Sequence, residues 1–166
     1  NEKAGELAAK AKEISKKNVL IAGSLPAQND TYVLDPRDKS IIEKGFYDQA
    51  KLLKPLINFF YMDVLSGSKE CEIALNVTDK FNLPVPIGLH IKKNGRLPSG
   101  ESITEVVNKC KNKNCLGIIA ACVSPEIIEN TIDEMKDLKI PFGYKANLWK
   151  TEEPVPIHKC SPPADK

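Results

Sequence analysis

Leu116-Gly117-Ile118-Ile119-Ala120-Ala121-Cys122-Val123-Ser124-Pro125-Glu126 decides how the rest of the chain is read. The apolar run from Leu116 to Cys122 reads as a strand. Directly after it, Ser124, Pro125 and Glu126 supply an N-cap hydroxyl, a proline at the first helical position and an early acid, predicting a helix to about Leu138. A strand feeding a helix is one βα unit, and the unit recurs on both sides. Upstream lie a strand at Val85–Ile91, a polar turn at Asn94–Gly100 and a helix at Ile103–Lys111, and before them a strand at Asn58–Asp63 and a helix at Lys69–Lys80. Further upstream, Leu7, Ala8, Ala11 and Ile14 mark one face of an amphipathic helix over Glu2–Lys17. Val19–Ala22 reads as a strand buried on both faces and ending at Gly23-Ser24, Leu25–Ser40 as a long loop, and Ile41–Leu53 as a helix stopped by Pro55. Downstream, Pro141–Asn147 reads as a fifth strand, and Pro154, Pro156, Pro162 and Pro163 keep the remaining tail out of regular structure.

Apolar strands alternating with helices predict a parallel α/β sheet, because parallel strands need a crossover that is usually helical. Periodicity alone leaves a slice of a closed barrel and an open doubly wound sheet equally open. Ligands collect at the carboxyl ends of the strands in both, which selects Gly23-Ser24, Asp63, His90, Cys122 and Asn147. A thiol, a carboxylate, an imidazole and a carboxamide on one rim would make a polar site in an apolar mouth. Each has a plainer role open to it. Cys122 suits a small core residue, Asp63 a loop cap, His90 a half-exposed strand residue and Asn147 a strand terminator.

Composition narrows the class. The 166 residues carry 24 basic and 22 acidic side chains, a net charge of +2 that gives no reason to expect nucleic acid or a membrane as partner. No apolar run approaches the roughly 20 residues of a membrane span, and Asn1-Glu2-Lys3 is no secretion signal, so a cytoplasmic protein is expected. Five cysteines with scattered spacing predict free thiols. Cys110 with Cys115, and His158 with Cys160, are poor zinc-finger spacings, and Gly95 and Gly100 bracket a turn rather than a phosphate loop. The absence of an initiating Met, and a length well short of the ~250 residues of a full barrel, lead to the expectation of an incomplete chain.

Several segments together resemble the homocysteine S-methyltransferase family. Ile21-Ala22-Gly23-Ser24-Leu25-Pro26 is similar to its third-strand A-G-S segment, and Asp63 to Glu72 to its E-T-x-P-S-x-x-E-A stretch, with Asp63 where the family has Glu and Ser66-Gly67 altering its P-S. Pro86 to His90 followed by Asn94-Gly95-Arg96-Leu97-Pro98-Ser99-Gly100-Glu101 resembles its strand and G-R-L-x-x-G turn. Cys122-Val123-Ser124-Pro125-Glu126 resembles its N-C-x-x-P-E motif with Ala121 in place of Asn, and Phe142 to Asn147 resembles its seventh-strand end.

That resemblance implies strands three to seven of a (β/α)₈ TIM-type barrel over residues 1–150, followed by a proline-rich tail over 151–166. It implies a zinc-dependent transfer of a methyl group to homocysteine, with Gly23, Ser24, Asp63, His90 and Asn147 facing substrate and Cys122 binding zinc. The methyl donor would be a small molecule such as betaine, S-methylmethionine or a methylated folate. The family's two other zinc thiolates come from a G-G-C-C motif that this sequence lacks, so this chain alone is expected to be inactive. Open strand edges predict a second copy or a complementing chain as partner, and a non-catalytic binding or assembly module is the competing reading.

Overall fold

A computed structural model describes residues 2–110 and 114–148. The proline-rich tail, Cys160 and the 151–166 boundary lie outside the described residues. The order is α1 (Glu2–Ser15), β1 (Ala22–Pro26), α2 (Lys39–Leu53) with a 3₁₀ turn at Lys54–Leu56, β2 (Phe59–Leu65), α3 (Ser68–Asp79), β3 (Val85–His90), α4 (Ile103–Cys110), β4 (Cys115–Val123), α5 (Pro125–Glu129), α6 (Ile132–Asp137) and β5 (Phe142–Ala146). All five strands form one parallel sheet in the order β1-β2-β3-β4-β5.

Sequential order settles the choice that periodicity left open. Right-handed crossovers between consecutive neighbours place every helix on the same face, whereas a doubly wound sheet reverses direction and covers both. Alternation follows. Phe60, Met62, Ile87, Leu89, Ile118 and Ala120 are buried on the helix side with Phe46, Leu75 and Val106. Ala22, Ser24 and Pro26 of β1, with their β2 partners Phe59, Tyr61 and Asp63, lie on the other, concave face, exposed or half-buried.

Three expectations are corrected. The first strand runs over Ala22–Pro26 rather than Val19–Ala22, and it alternates exposed and buried residues instead of being covered twice. Residues before it are held outside the ladder: Ile21 N–H donates to Asn58 Oδ1 at 2.8 Å, and Asn58 N–H returns to Ile21 O at 2.9 Å. Proline is tolerated at its end because, among the described residues, β1 has a sheet neighbour on one side. The amphipathic face assigned to α1 is largely uncovered, with Leu7 and Ile14 exposed and Gly5 the residue buried against Leu56. The helix expected over Pro125–Leu138 is two helices, because Thr131 Oγ1 donates to Ile128 O at 2.8 Å and Asn130 Nδ2 to Lys93 O at 3.3 Å, and such side chains compete with helical bonding.

Phe46 is fully buried on α2, while the adjoining Tyr47 is exposed enough to meet solvent. Phe46→Ala should cost about 3–5 kcal/mol and Tyr47→Ala under about 1 kcal/mol, read from denaturant midpoints at constant slope.

Candidate functional site at the strand ends

The carboxyl ends of β2 to β5 bring together Asp63, His90, Cys122 and a residue the sequence reading passed over, Lys145. His90 pairs in register with Ala121, and Ala121 with Lys145, so these share one row of the concave face. Lys145 Nζ donates to Asp63 Oδ1 at 3.0 Å although β3 and β4 lie between their strands. Three strand spacings amount to about 14 Å on a flat sheet, more than the two side chains and a hydrogen bond can bridge. Strong curvature closes the gap, and small residues clear the path: Ala121 in the row, and Gly88, where a Cβ would come within 2.6 Å of Tyr61 Oη and 2.9 Å of Met62 O.

Local backbone irregularity aims these groups. Register shifts between Met62 and Leu65 and between Ala121 and Val123, and within those shifts Val64 (φ 61°) and Cys122 (φ 82°) adopt the left-handed region. A β-branched residue there is strained, so surrounding structure must hold it. Cys122 is held by Asn147, whose N–H donates to Val123 O at 2.9 Å and whose Nδ2 donates to Cys122 O at 3.3 Å. Tyr32, from the long loop, also has positive φ (71°), and its ring meets that of His90 at 4.7 Å between centroids.

The charges are coupled. Burial works against the Lys145 ammonium, but Asp63 and the neighbouring Cys122 outweigh it and hold its pKa above the usual lysine range. The ammonium also lies 5.4 Å from the centroid of the Tyr61 ring. Burial raises the Cys122 thiol, Lys145 pulls it down and Asp63 pushes it up, leaving it above the ordinary thiol value and protonated at neutral pH. Burial, helped by Lys92, lowers His90 to about 4, so its imidazole is neutral. The buried His90 Nδ1 has no hydrogen-bond partner among the described residues, and the buried Tyr61 hydroxyl adjoins the Asp63 carboxylate.

Gly23 and Ser24 sit lower than the rim, level with Phe60 and Tyr61. Ser24 faces the concave side, whereas Gly23 is backed by Ile57 and Leu53, where a Cβ would meet Ile57 Cδ1 at 2.6 Å. Lys145 could have been found by counting alternation back from Asn147: it shares a strand face with Gly143. Tyr61 was readable in the same way, two residues before Asp63. Tyr32 carried no signal, because its place depends on how the loop folds back. Among the described residues no three His, Cys, Asp or Glu side chains converge to hold a metal ion, and Cys71, Cys110, Cys115 and Cys122 are free.

The Gly-Arg-Leu-Pro-Ser-Gly-Glu turn supports the rim without lining it. Gly95 and Gly100 take positive φ (77° and 86°), Leu97 is buried, and Glu101 accepts from Ser68 N–H at 2.9 Å, Ser99 Oγ at 2.7 Å and Lys109 Nζ at 2.7 Å. Behind it, Glu70 is buried and pushed up to about 7 by that burial, against the opposing hydrogen bond from Ser66 N–H. Burial opposes the Glu101 charge too, but its hydrogen bonds from Lys109, Ser68 and Ser99 prevail and lower it to about 2. A folded-state pKa below the unfolded one means stability present above about pH 4.5 and lost as pH falls toward about 2. Glu101→Gln should flatten that part of the Tm–pH curve between pH 5 and pH 2 and lower Tm at pH 7, as thermal melts across the range would record.

Comparison with known proteins accords with this geometry. A profile of the family described as homocysteine S-methyltransferase matches residues 1–159. Two crystal structures of the homocysteine methyltransferase MmuM from Escherichia coli share the fold. The apo form superposes with a TM-score of 0.74 at 15% identity, covering 89% of this chain and 59% of that one. The metallated form gives 0.80 at 18% identity, covering 89% and 57%. No curated protein sequence matches the chain. The chain therefore spans under two thirds of the length of these solved structures, and its five-stranded sheet is part of their (β/α)₈ barrel. On the match over residues 1–159, carried by a parallel sheet with its polar groups at the strand ends, this chain belongs to the homocysteine S-methyltransferase family.

Proposed function

We propose that the chain carries the substrate-facing part of a homocysteine S-methyltransferase, whose complete barrel moves a methyl group from a small donor to the homocysteine sulfur. The observation that supports this most is the meeting of Asp63 and Lys145 across the barrel mouth, beside Cys122 and His90. An amino acid bearing a thiol needs charged groups for its backbone end and a drier region for its sulfur. This rim offers both. In the reaction the sulfur–methyl bond forms as the donor–methyl bond breaks, and the thiol proton departs to solvent or to a base.

Roles follow the chemistry of each group. Asp63 receives the substrate ammonium. Neutral His90 supplies a ring nitrogen without adding charge. Ser24 contributes a hydroxyl lower in the mouth, and Gly23 lets Ile57 support that strand from behind. Asn147 positions Cys122 and faces the substrate pocket. Free thiols and the family's chemistry suit a reducing, cytoplasmic setting. Residues 1–150 are assigned to the barrel segment and 151–166 to a tail, with homocysteine, a methyl donor and either a second copy or a complementing chain as partners.

The zinc implied by the family does not fit the described residues by themselves. One thiol stands at the rim, and the Lys145 ammonium beside it repels a dication. Cys122 is offered as the single ligand this chain would contribute to zinc in a completed barrel. The same lysine favours a second reading, a non-catalytic amino-acid-binding module.

Methyl transfer to homocysteine by the full-length protein, assayed with betaine, S-methylmethionine and methylated folate, separates the two. Activity with one donor supports the enzyme, and binding of homocysteine without turnover supports the module. In the active protein Cys122→Ser should remove stoichiometric zinc and reduce turnover at least about 100-fold, since a neutral hydroxyl replaces a soft anionic ligand. Metal analysis that still finds one zinc per chain would overturn the role given to Cys122. The 166-residue chain by itself should show no turnover.

A further inference from the structure

We propose that Lys145 anchors the carboxylate of a zwitterionic α-amino acid whose ammonium docks on Asp63, so that the ion pair between them is a two-headed clamp rather than a structural brace. The clamp rests on the substrate reading above for the identity of its ligand, and on the following geometry for its existence.

Both heads stay accessible: the Lys145 side chain is 48% exposed and that of Asp63 29%. An ion pair this open contributes little to stability, and ordering a long lysine side chain across the mouth costs entropy, so a bracing role is a poor reason for it. An ammonium has three N–H donors and a carboxylate about four acceptor sites, and their direct contact at 3.0 Å uses one of each. An α-amino acid carries its ammonium and carboxylate on one carbon. Laid antiparallel to the pair, it places carboxylate on Lys145 and ammonium on Asp63, closing a ring of four alternating charges without breaking the existing bond.

The row beneath the pair is closely packed, so the open side is the one on which the two charged heads meet solvent. Ala121 pairs with both His90 and Lys145 and raises no bulk in the row, and Gly88 makes way for the Tyr61 hydroxyl, which a Cβ there would meet at 2.6 Å. Tyr61 lies under the ammonium, and its buried hydroxyl adjoins the Asp63 carboxylate. His90 is 2% exposed, and its Nδ1 has no partner among the described residues. Cys122 lies beside Lys145, so a ligand gripped by its backbone end has its side chain in reach of the thiol.

Calorimetric titration of the full chain with four ligands tests this. L-Homocysteine has both heads, 3-aminopropane-1-thiol lacks the carboxylate, 4-sulfanylbutanoate lacks the ammonium, and L-norvaline lacks the sulfur. Each lost charge-assisted bond should weaken binding at least about tenfold in the unaltered protein. Lys145→Met should erase the preference for homocysteine over 3-aminopropane-1-thiol while keeping that over 4-sulfanylbutanoate. Asp63→Asn should do the reverse, and Lys145→Arg should retain both preferences. A Lys145→Met protein that still prefers homocysteine over the carboxylate-free thiol overturns the clamp and leaves the homocysteine reading standing. Norvaline binding as tightly as homocysteine, with the same dependence on Lys145, keeps the clamp and overturns the homocysteine reading. No binding of either amino acid overturns the clamp.

Discussion

Every feature of this molecule depends on consecutive parallel strands lying side by side in chain order. Because each crossover has the same hand, the helices accumulate on one face, and neighbouring helices pack in succession, α2 on α3, α3 on α4 and α4 on α6. The helix side takes the bulk of the apolar volume, including Phe46, Phe60, Met62 and Ile87. The opposite side mixes small residues such as Ala22, Gly88, Ala121 and Gly143 with Phe59, Tyr61, Ile119 and a few polar groups. Covering one face alone also bends the sheet, and that bend lets a lysine on β5 touch an aspartate on β2.

Curvature would bring wrong atoms together if the strand ends were regular. At β2 and β4 the ladder slips by a residue, and Val64 and Cys122 accept positive φ at a cost of about 1–3 kcal/mol each. The cost is borne by neighbours that cannot easily move: Leu65 and Val123 are fully buried, and Asn147 ties down the Cys122 carbonyl. Strain placed where chemistry is expected, and held by core packing on the far side, is a consistent pattern for a binding rim. The supporting Glu101 network does similar work one layer back, fixing the first turn of α3 to the glycine-rich turn ahead of α4.

Charge gives the rim its character. A thiol kept protonated, a neutral imidazole and a lysine held charged by an aspartate form a mouth that presents both signs but no net excess. Among the described residues no three metal-ligating side chains converge, and the thiol at the rim has an ammonium beside it. That balance of charge is what the zwitterion-binding role proposed for the rim rests on.

Local sequence was enough for the alternation of strands and helices, for the rim positions of Asp63, His90 and Cys122, and for the free thiols of the four described cysteines, because periodicity, chain punctuation and cysteine spacing are short-range signals. It misplaced the first strand, since an edge strand with a proline at its end resembles a loop, and it merged α5 with α6, since the break depends on Asn130 reaching Lys93. Only the tertiary structure decided that Lys145 meets Asp63, that Asn147 holds the backbone of Cys122, and that Tyr32 comes to rest against His90. Those contacts join residues distant in sequence. They exist because sheet curvature, two register slips and the path of one loop set the distances, and all three are properties of the packed whole.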